Sequence, residues 1–153
     1  MRRLLVITLA VSFCAGAAYA AQMPPIVRET LAQAASECRS AGGRPDRIER
    51  AVKEIDLNGD NSIDWVIDFS DLHCESAPSY FCGTGGCPLY LFVSQGNEYI
   101  RVWNDLVHAW KPAKVRGLPG IQFDLHGTAC GLAGADACTK TYMFDGNRLR
   151  EVK

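Results

Sequence analysis

The segment DLNGDNSIDWVIDF, residues 56–69, places an oxygen-rich loop directly before an apolar strand. Oxygen-bearing side chains occupy every second position of the first part: Asp56, Asn58, Asp60, Ser62 and Asp64. Large apolar side chains then recur with the two-residue period of a β-strand: Ile63, Trp65, Ile67 and Phe69. The segment therefore predicts a tight polar turn that leads into a strand.

Further strands are predicted on both sides of this segment, because apolar residues alternate and turn residues separate the runs. The predicted runs are residues 48–55, 88–94, 98–104, 106–115, 120–126, 139–144 and 148–152. Residues 88–94 are apolar on both faces, which places them in the middle of a sheet. The turns QGN at 95–97 and DGN at 145–147 predict two hairpins.

One helix is predicted before the strands, from Ile26 to about Ala41. Apolar side chains recur there at helical spacing, and Gly42 and Gly43 end the pattern. The repeating positions are Val27, Leu31, Ala34, Ala35 and Cys38. Since no helical pattern separates the strands, the sequence predicts an α+β fold: an N-terminal helix packed on a mainly antiparallel β-sheet, stapled by disulfides.

Residues 1–20, MRRLLVITLAVSFCAGAAYA, have the features of a secretory signal peptide cleaved after Ala20. Residues 21–153 then form a single α+β domain, and the location is periplasmic or secreted. Loss of Arg2 and Arg3 changes the net charge from −1 to −3. That balance argues against nucleic acid or an anionic membrane surface as a partner. No second apolar run predicts a membrane span in the mature chain.

Six cysteines remain after cleavage, and an even number in an exported chain indicates disulfides. Six cysteines allow 15 pairings, and the sequence does not choose between them. The favoured pairs are Cys82–Cys87 and Cys130–Cys138, which close short loops, and the remaining pair Cys38–Cys74. A zinc site is the rival interpretation, but the chain has no Cys-x-x-Cys motif.

The oxygen-rich loop is interpreted as a structural calcium site. The acids of this region lie in a window without Lys or Arg, from Glu54 to Ile100, and a bound cation would relieve their repulsion. The expected ligands are Asp56, Asn58, Asp60, the Ser62 carbonyl and Asp64. Asn61 lies where such loops need a left-handed residue. The alternative is a polar turn without metal.

The loop resembles the calcium loops of FG-GAP/VCBS-type β-propeller repeats, which read Asp-x-Asn-Gly-Asp-Gly-x-x-Asp. The matching positions are Asp56, Asn58, Gly59, Asp60 and Asp64, while Asn61 departs from the pattern. It is not a complete EF-hand, because position twelve is Ile67 instead of glutamate. The resemblance covers about ten residues and occurs once, so it implies the loop and not a propeller.

Two other segments carry candidate chemistry. FCGTGGC, residues 81–87, is either an anion-binding nest or, as we favour, a disulfide-closed turn. Asp124 and His126 lie on one face of a predicted strand and could pair, with Cys130 nearby as a nucleophile only if its thiol is free. The more common interpretation of such a histidine is a surface residue without a catalytic role.

Taken whole, the chain resembles a group of small exported bacterial proteins of unknown function. The shared segments are DLNGDNSIDWVID, CGTGGC and DLHGTACG. The resemblance implies a periplasmic α+β domain and no known activity. We expect a binding or structural protein with a calcium loop, whose partner is an unknown protein or envelope component. The alternatives are an inhibitor of an exported hydrolase, similar to lysozyme inhibitors, or an envelope enzyme that uses Asp124 and His126.

Overall fold

The computed structural model describes residues 23–153, so the predicted signal peptide lies outside the described residues. One helix, α1 (Pro25–Ser40), agrees with the predicted helix to within one residue at each end. Its start suits Pro24 and Pro25, because proline lacks the amide hydrogen that the first turn leaves unbonded anyway. No helix among residues 23–153 is long and apolar enough to cross a membrane.

Ten strands follow α1 in the described chain, with short 3-10 turns at Ile48–Ala51, Phe69–Asp71 and Gly127–Cys130. The strands are β1 (Arg44–Asp46), β2 (Val52–Ile55), β3 (Asp64–Asp68), β4 (His73–Glu75), β5 (Cys87–Gln95), β6 (Glu98–Val107), β7 (Ala109–Val115), β8 (Leu118–Leu125), β9 (Cys138–Asp145) and β10 (Arg148–Glu151). The predicted strand 48–55 was wrong in its first half, which forms a 3-10 turn after Arg47 enters the left-handed region.

Every strand pair is antiparallel, and the strands form three sheets. A small sheet contains β1 and β4, a first large sheet has the order β2-β3-β5-β6, and a second has the order β10-β9-β8-β7. The hairpins β5–β6 and β9–β10 confirm the two turn predictions. One helix, antiparallel pairing and disulfides are as predicted, but the described chain is mostly β-structure, so the α+β class is only roughly met. The strands also divide into separate sheets where the sequence suggested one.

The first large sheet contributes residues to two separate hydrophobic cores. Trp65 and Ile67 of β3 belong to the same cluster as Val27, Leu31 and Ala34 of α1. Val66, the residue between them, belongs to a second cluster with Ile121 and Phe123 of β8. Successive residues of a strand point to opposite faces, so α1 and the second sheet cover opposite sides of β3.

Both faces of β3 are consequently buried, which the alternating sequence did not show. All five residues from Asp64 to Asp68 are buried. By contrast Ile63, which shares the apolar alternation, lies in the preceding loop and is 52% exposed. The polar residues of β3 therefore lie at buried hydrogen-bonding positions and do not form a solvent-exposed face.

The three disulfides are Cys38–Cys74, Cys82–Cys87 and Cys130–Cys138, the pairs that the sequence analysis favoured. Cys38–Cys74 joins α1 to β4 of the small sheet. Gly43 allows this junction, because a Cβ atom there would lie 2.3 Å from the Cys74 sulfur. The covalent link therefore ties α1 to the next strand after β3 in the chain.

The sequence separations of the disulfides predict unequal contributions to stability. A double Cys38→Ser, Cys74→Ser variant opens a link between residues 36 apart, whereas Cys130→Ser, Cys138→Ser opens one between residues 8 apart. Loop-closure entropy predicts losses of about 4 and about 2.5 kcal/mol in unfolding free energy. Guanidinium denaturation measures both losses, and an equal or reversed order would contradict the entropic argument.

Candidate functional site

The loop between β2 and β3 is held in shape by its own first aspartate. Asp56 Oδ1 accepts hydrogen bonds from the amides of Gly59 at 2.7 Å and Asp60 at 3.2 Å. Asp56 Oδ2 accepts one from the amide of Asn61 at 3.0 Å. Gly59 and Asn61 have φ values of +79° and +64°, so asparagine does occupy the left-handed position that the sequence marked.

Asp60 lies at the exposed tip of the loop and is bound by three donors. Its Oδ1 accepts the Ser62 amide at 2.8 Å. Its Oδ2 accepts Asn58 Nδ2 at 3.0 Å and the Ser94 hydroxyl at 3.4 Å. The Ser62 amide, followed by the Asn58 side chain, holds the pKa of Asp60 below its ordinary value. Asp60 is therefore an anion at neutral pH.

Asp64 begins β3 and is completely buried. Its Oδ2 accepts the Leu57 amide and its Oδ1 the Ser94 amide, both at 2.8 Å. Burial raises the pKa of Asp64, and the nearby charge of Asp60 raises it further, while the two amide donors oppose the shift. None of the ion pairs in residues 23–153 includes Asp64. The ionised form therefore lacks a counter-charge in the described chain.

Two residues that the sequence analysis missed complete this network. Ser94 lies on β5 and bonds to both Asp60 and Asp64. Asn147 lies in the β9–β10 turn, where its Oδ1 accepts Asn58 Nδ2 at 3.1 Å and its Nδ2 donates to the Ser94 carbonyl at 3.2 Å. No sequence spacing connects position 147 with position 58, so only the packing of the two sheets reveals the contact.

The structure brings some of the predicted calcium ligands together and separates others. Asp60 and Asp64 both bond to Ser94, and Asn58 bonds to Asp60. Asp56 instead faces the loop amides, and Ser62 contributes its amide to Asp60. Within residues 23–153 no three His, Cys, Asp or Glu side chains are placed to hold a metal ion. The expected donor set, however, also includes amide and carbonyl oxygens, so the calcium interpretation stays a prediction.

Cations from outside the Lys- and Arg-free window reach three of its acids. Lys53 Nζ lies 2.6 Å from Asp71 and 3.4 Å from Asp68, and Arg44 pairs with Glu75. The loop acids Asp56, Asp60 and Asp64 are absent from the ion pairs of the described chain. The sequence indicated that the acids of this window lack cationic partners. That is true of the loop acids, but it was wrong for the acids after the loop that pair with Lys53 or Arg44.

A cleft of the described chain forms a separate site, with a volume of about 720 Å³. It is lined by Thr84, His108, Asp124, Leu125, His126, Gly134, Ala135, Asp136, Ala137, Cys138 and Thr139. Asp124 accepts the Thr139 hydroxyl at 2.7 Å, and His126 Nδ1 lies 2.8 Å from the Thr128 hydroxyl. The suggested Asp124–His126 pair is therefore not formed, although both residues line one cleft.

Cys130 and the glycine-rich segment 81–87 have structural roles. Cys130 is bonded to Cys138, so it does not offer a free thiol as a nucleophile. In the turn closed by Cys82–Cys87, the amides of Gly83 and Gly86 each donate to the other's carbonyl at 3.0 Å. These amides are thus engaged with each other, which agrees with a disulfide-closed turn and not with an anion nest.

No family model, no curated protein and no solved structure matches the chain. Function is therefore argued from the loop and the cleft themselves.

Asp68, at the end of β3, links the two large sheets through a hydrogen bond that can be tested. Its Oδ2 accepts the Trp110 indole of β7 at 2.7 Å. Burial raises the pKa of Asp68, but hydrogen bonds from Ser70 and Trp110 and the charge of Lys53 outweigh it, so the pKa lies below its ordinary value. Its stabilising effect is thus fully present above the unfolded pKa of about 3.8 and is lost as pH falls through the folded pKa.

Asp68→Asn should therefore destabilise the protein at pH 7 by about 1.5–3 kcal/mol, the range for hydrogen bonds to charged groups. The difference from wild type should shrink as the pH falls below about 3.8. Urea denaturation across a pH series measures it. Asp71→Asn, which removes the more exposed acid beside the same Lys53, is the control and should cost much less. A pH-independent loss in Asp68→Asn would contradict the assignment.

Proposed function

We propose that this protein is an exported domain, periplasmic or secreted, that acts by binding, and that the 56–64 loop holds a structural calcium ion. Three disulfides favour an oxidising compartment, because thiols are kept reduced in the cytosol. The signal-peptide pattern of residues 1–20 supports the same location.

The observation that carries the calcium proposal is the buried carboxylate of Asp64 beside Asp60. An ionised group in the interior is costly unless a counter-charge is near, and no cationic side chain of the described chain pairs with Asp64. A calcium ion prefers six to eight oxygen ligands. Carboxylate, amide and carbonyl oxygens of this loop supply the kind of donor that the ion needs.

The surroundings of the loop favour a structural ion over a signalling switch. A Cβ atom on Gly59 would lie 2.7 Å from Pro119 of β8, so the loop rests directly on the second sheet. Asn147 attaches the β9–β10 turn to the same loop. Because strands and not mobile helices flank the loop, ion binding would pin a corner where both sheets meet.

Binding is favoured over catalysis by the state of the candidate catalytic residues. Cys130 is in a disulfide, and Asp124 and His126 are each hydrogen-bonded to a threonine. The cleft of about 720 Å³ is large enough for a small ligand. It is therefore the preferred place to look for a ligand or for a segment of a partner protein.

Calcium should raise the melting temperature of the protein above its value in chelator. Extracellular calcium modules bind with Kd of about 10⁻⁴–10⁻³ M, so about 10 mM calcium should stabilise by roughly 1.4–2.7 kcal/mol. Scanning calorimetry in chelator, in calcium and in magnesium measures the shift. Asp64→Asn removes the charge and one of the two oxygens that accept the Leu57 and Ser94 amides, so it should lower the melting temperature in chelator and abolish most of the calcium-dependent part.

Glu29→Gln is the matched control, because Glu29 is an exposed acid on α1 outside the loop. It should keep the full calcium shift. Equal melting temperatures of the wild type in chelator and in calcium would contradict the metal proposal. An equal calcium shift in Asp64→Asn would place the ion elsewhere.

A further inference from the structure

The cleft brings together two histidines that the sequence keeps apart. His108 lies in the one-residue link between β6 and β7, and His126 follows β8. Their ring centres are 6.2 Å apart and the rings are nearly perpendicular. The link is fixed because the His108 amide donates to the Asp124 carbonyl at 2.7 Å. The position of His108 beside His126 therefore follows from the join between the two large sheets.

Each histidine has one ring nitrogen occupied by a neighbour. His108 Nε2 lies 3.0 Å from the Thr84 carbonyl, and a carbonyl only accepts, so Nε2 carries the hydrogen and the neutral ring presents Nδ1 as a lone pair. His126 Nδ1 lies 2.8 Å from the Thr128 hydroxyl, which suits a hydrogen on Nδ1 and a lone pair on Nε2. Metal-binding histidines commonly have their second nitrogen fixed by such a partner.

The electrostatics of the cleft favour a cation. Asp124 and Asp136 line it, and no Lys or Arg is among its lining residues. Cys138 is in a disulfide and is not a thiolate donor. The available donors are therefore imidazole nitrogens with nearby carboxylates, a set that suits zinc, copper or nickel and not calcium.

We propose that His108 and His126 form an open site for a borderline divalent metal ion such as Zn²⁺, with the remaining positions filled by water or by a donor from a bound ligand. One tetrahedral ion at about 2.0–2.1 Å from a nitrogen of each imidazole places the ring centres roughly 5 Å apart, so the rings, now 6.2 Å apart, would have to approach by about 1 Å to share it. No three His, Cys, Asp or Glu side chains converge in residues 23–153. The described chain would therefore supply two imidazole ligands and no third side-chain ligand. An incomplete protein shell leaves coordination positions open, as in sites that act on or capture a ligand.

This site is independent of the calcium loop, because the two share no residue. Isothermal titration with ZnCl₂ tests it, on protein with its disulfides formed and metal removed. The variants are His108→Gln, His126→Gln and the double variant, since glutamine keeps an amide donor for the Thr84 carbonyl but removes the imidazole nitrogen. His73→Gln is the matched control, because His73 is exposed on β4, outside the cleft.

Wild type and His73→Gln should bind one Zn²⁺ with equal affinity, with or without calcium. Each cleft variant should bind at least about tenfold more weakly, by comparison with losses at supporting residues of metal sites. Binding retained in the double variant, lost in His73→Gln, or displaced by calcium would overturn the proposal, as would the absence of zinc binding.

A measurement on the wild type guards against variants that do not fold. In a zinc titration followed by NMR, the imidazole signals of His108 and His126 should shift together and saturate at one equivalent, while those of His73 stay unchanged. Movement of the His73 signals alone, or of none, would overturn the proposal.

Discussion

The structure depends on the burial of β3 on both of its faces. Trp65 and Ile67 belong to the core beneath α1, and Val66 belongs to the core between the two large sheets. Full burial of a large apolar side chain contributes about 1.5–3 kcal/mol, so one five-residue strand contributes to both cores at once. A change in the register of β3 by one residue would exchange its two faces and disrupt both cores together.

The loop before β3 combines the burial of this strand with a buried carboxylate at its first residue. The strand begins with Asp64, whose buried carboxylate bonds to the amides of Leu57 and Ser94 and so fixes the path of the chain into the strand. The same loop contacts the second sheet through Asn147 and Pro119. A cation at the loop would therefore stabilise strand entry and the contact between sheets together. The cleft shares no residue with this loop, and it is lined by two imidazoles beside two carboxylates.

Local sequence rules predicted most of the secondary structure, because helix period, strand period and Asn/Gly turns are properties of neighbouring residues. They did not predict that the strands form two large sheets, since the alternation of Trp65 and Ile67 is the same whether Val66 faces solvent or a second core. The loop residues and the left-handed Asn61 were recognised from spacing. Ser94, Asn147 and His108 were missed as site residues, because each reaches its site through strand order and sheet packing.

Native-state hydrogen exchange of the β3 amides tests the central claim most directly. If β3 supports both cores, the amides of Val66 and Ile67 should exchange only through global unfolding, with an exchange free energy equal to the unfolding free energy from denaturation. Amides of the short edge strand β10, such as that of Arg150, should exchange much faster through local opening. Exchange of Val66 and Ile67 at the rate of β10 would show that β3 opens locally and would contradict the account.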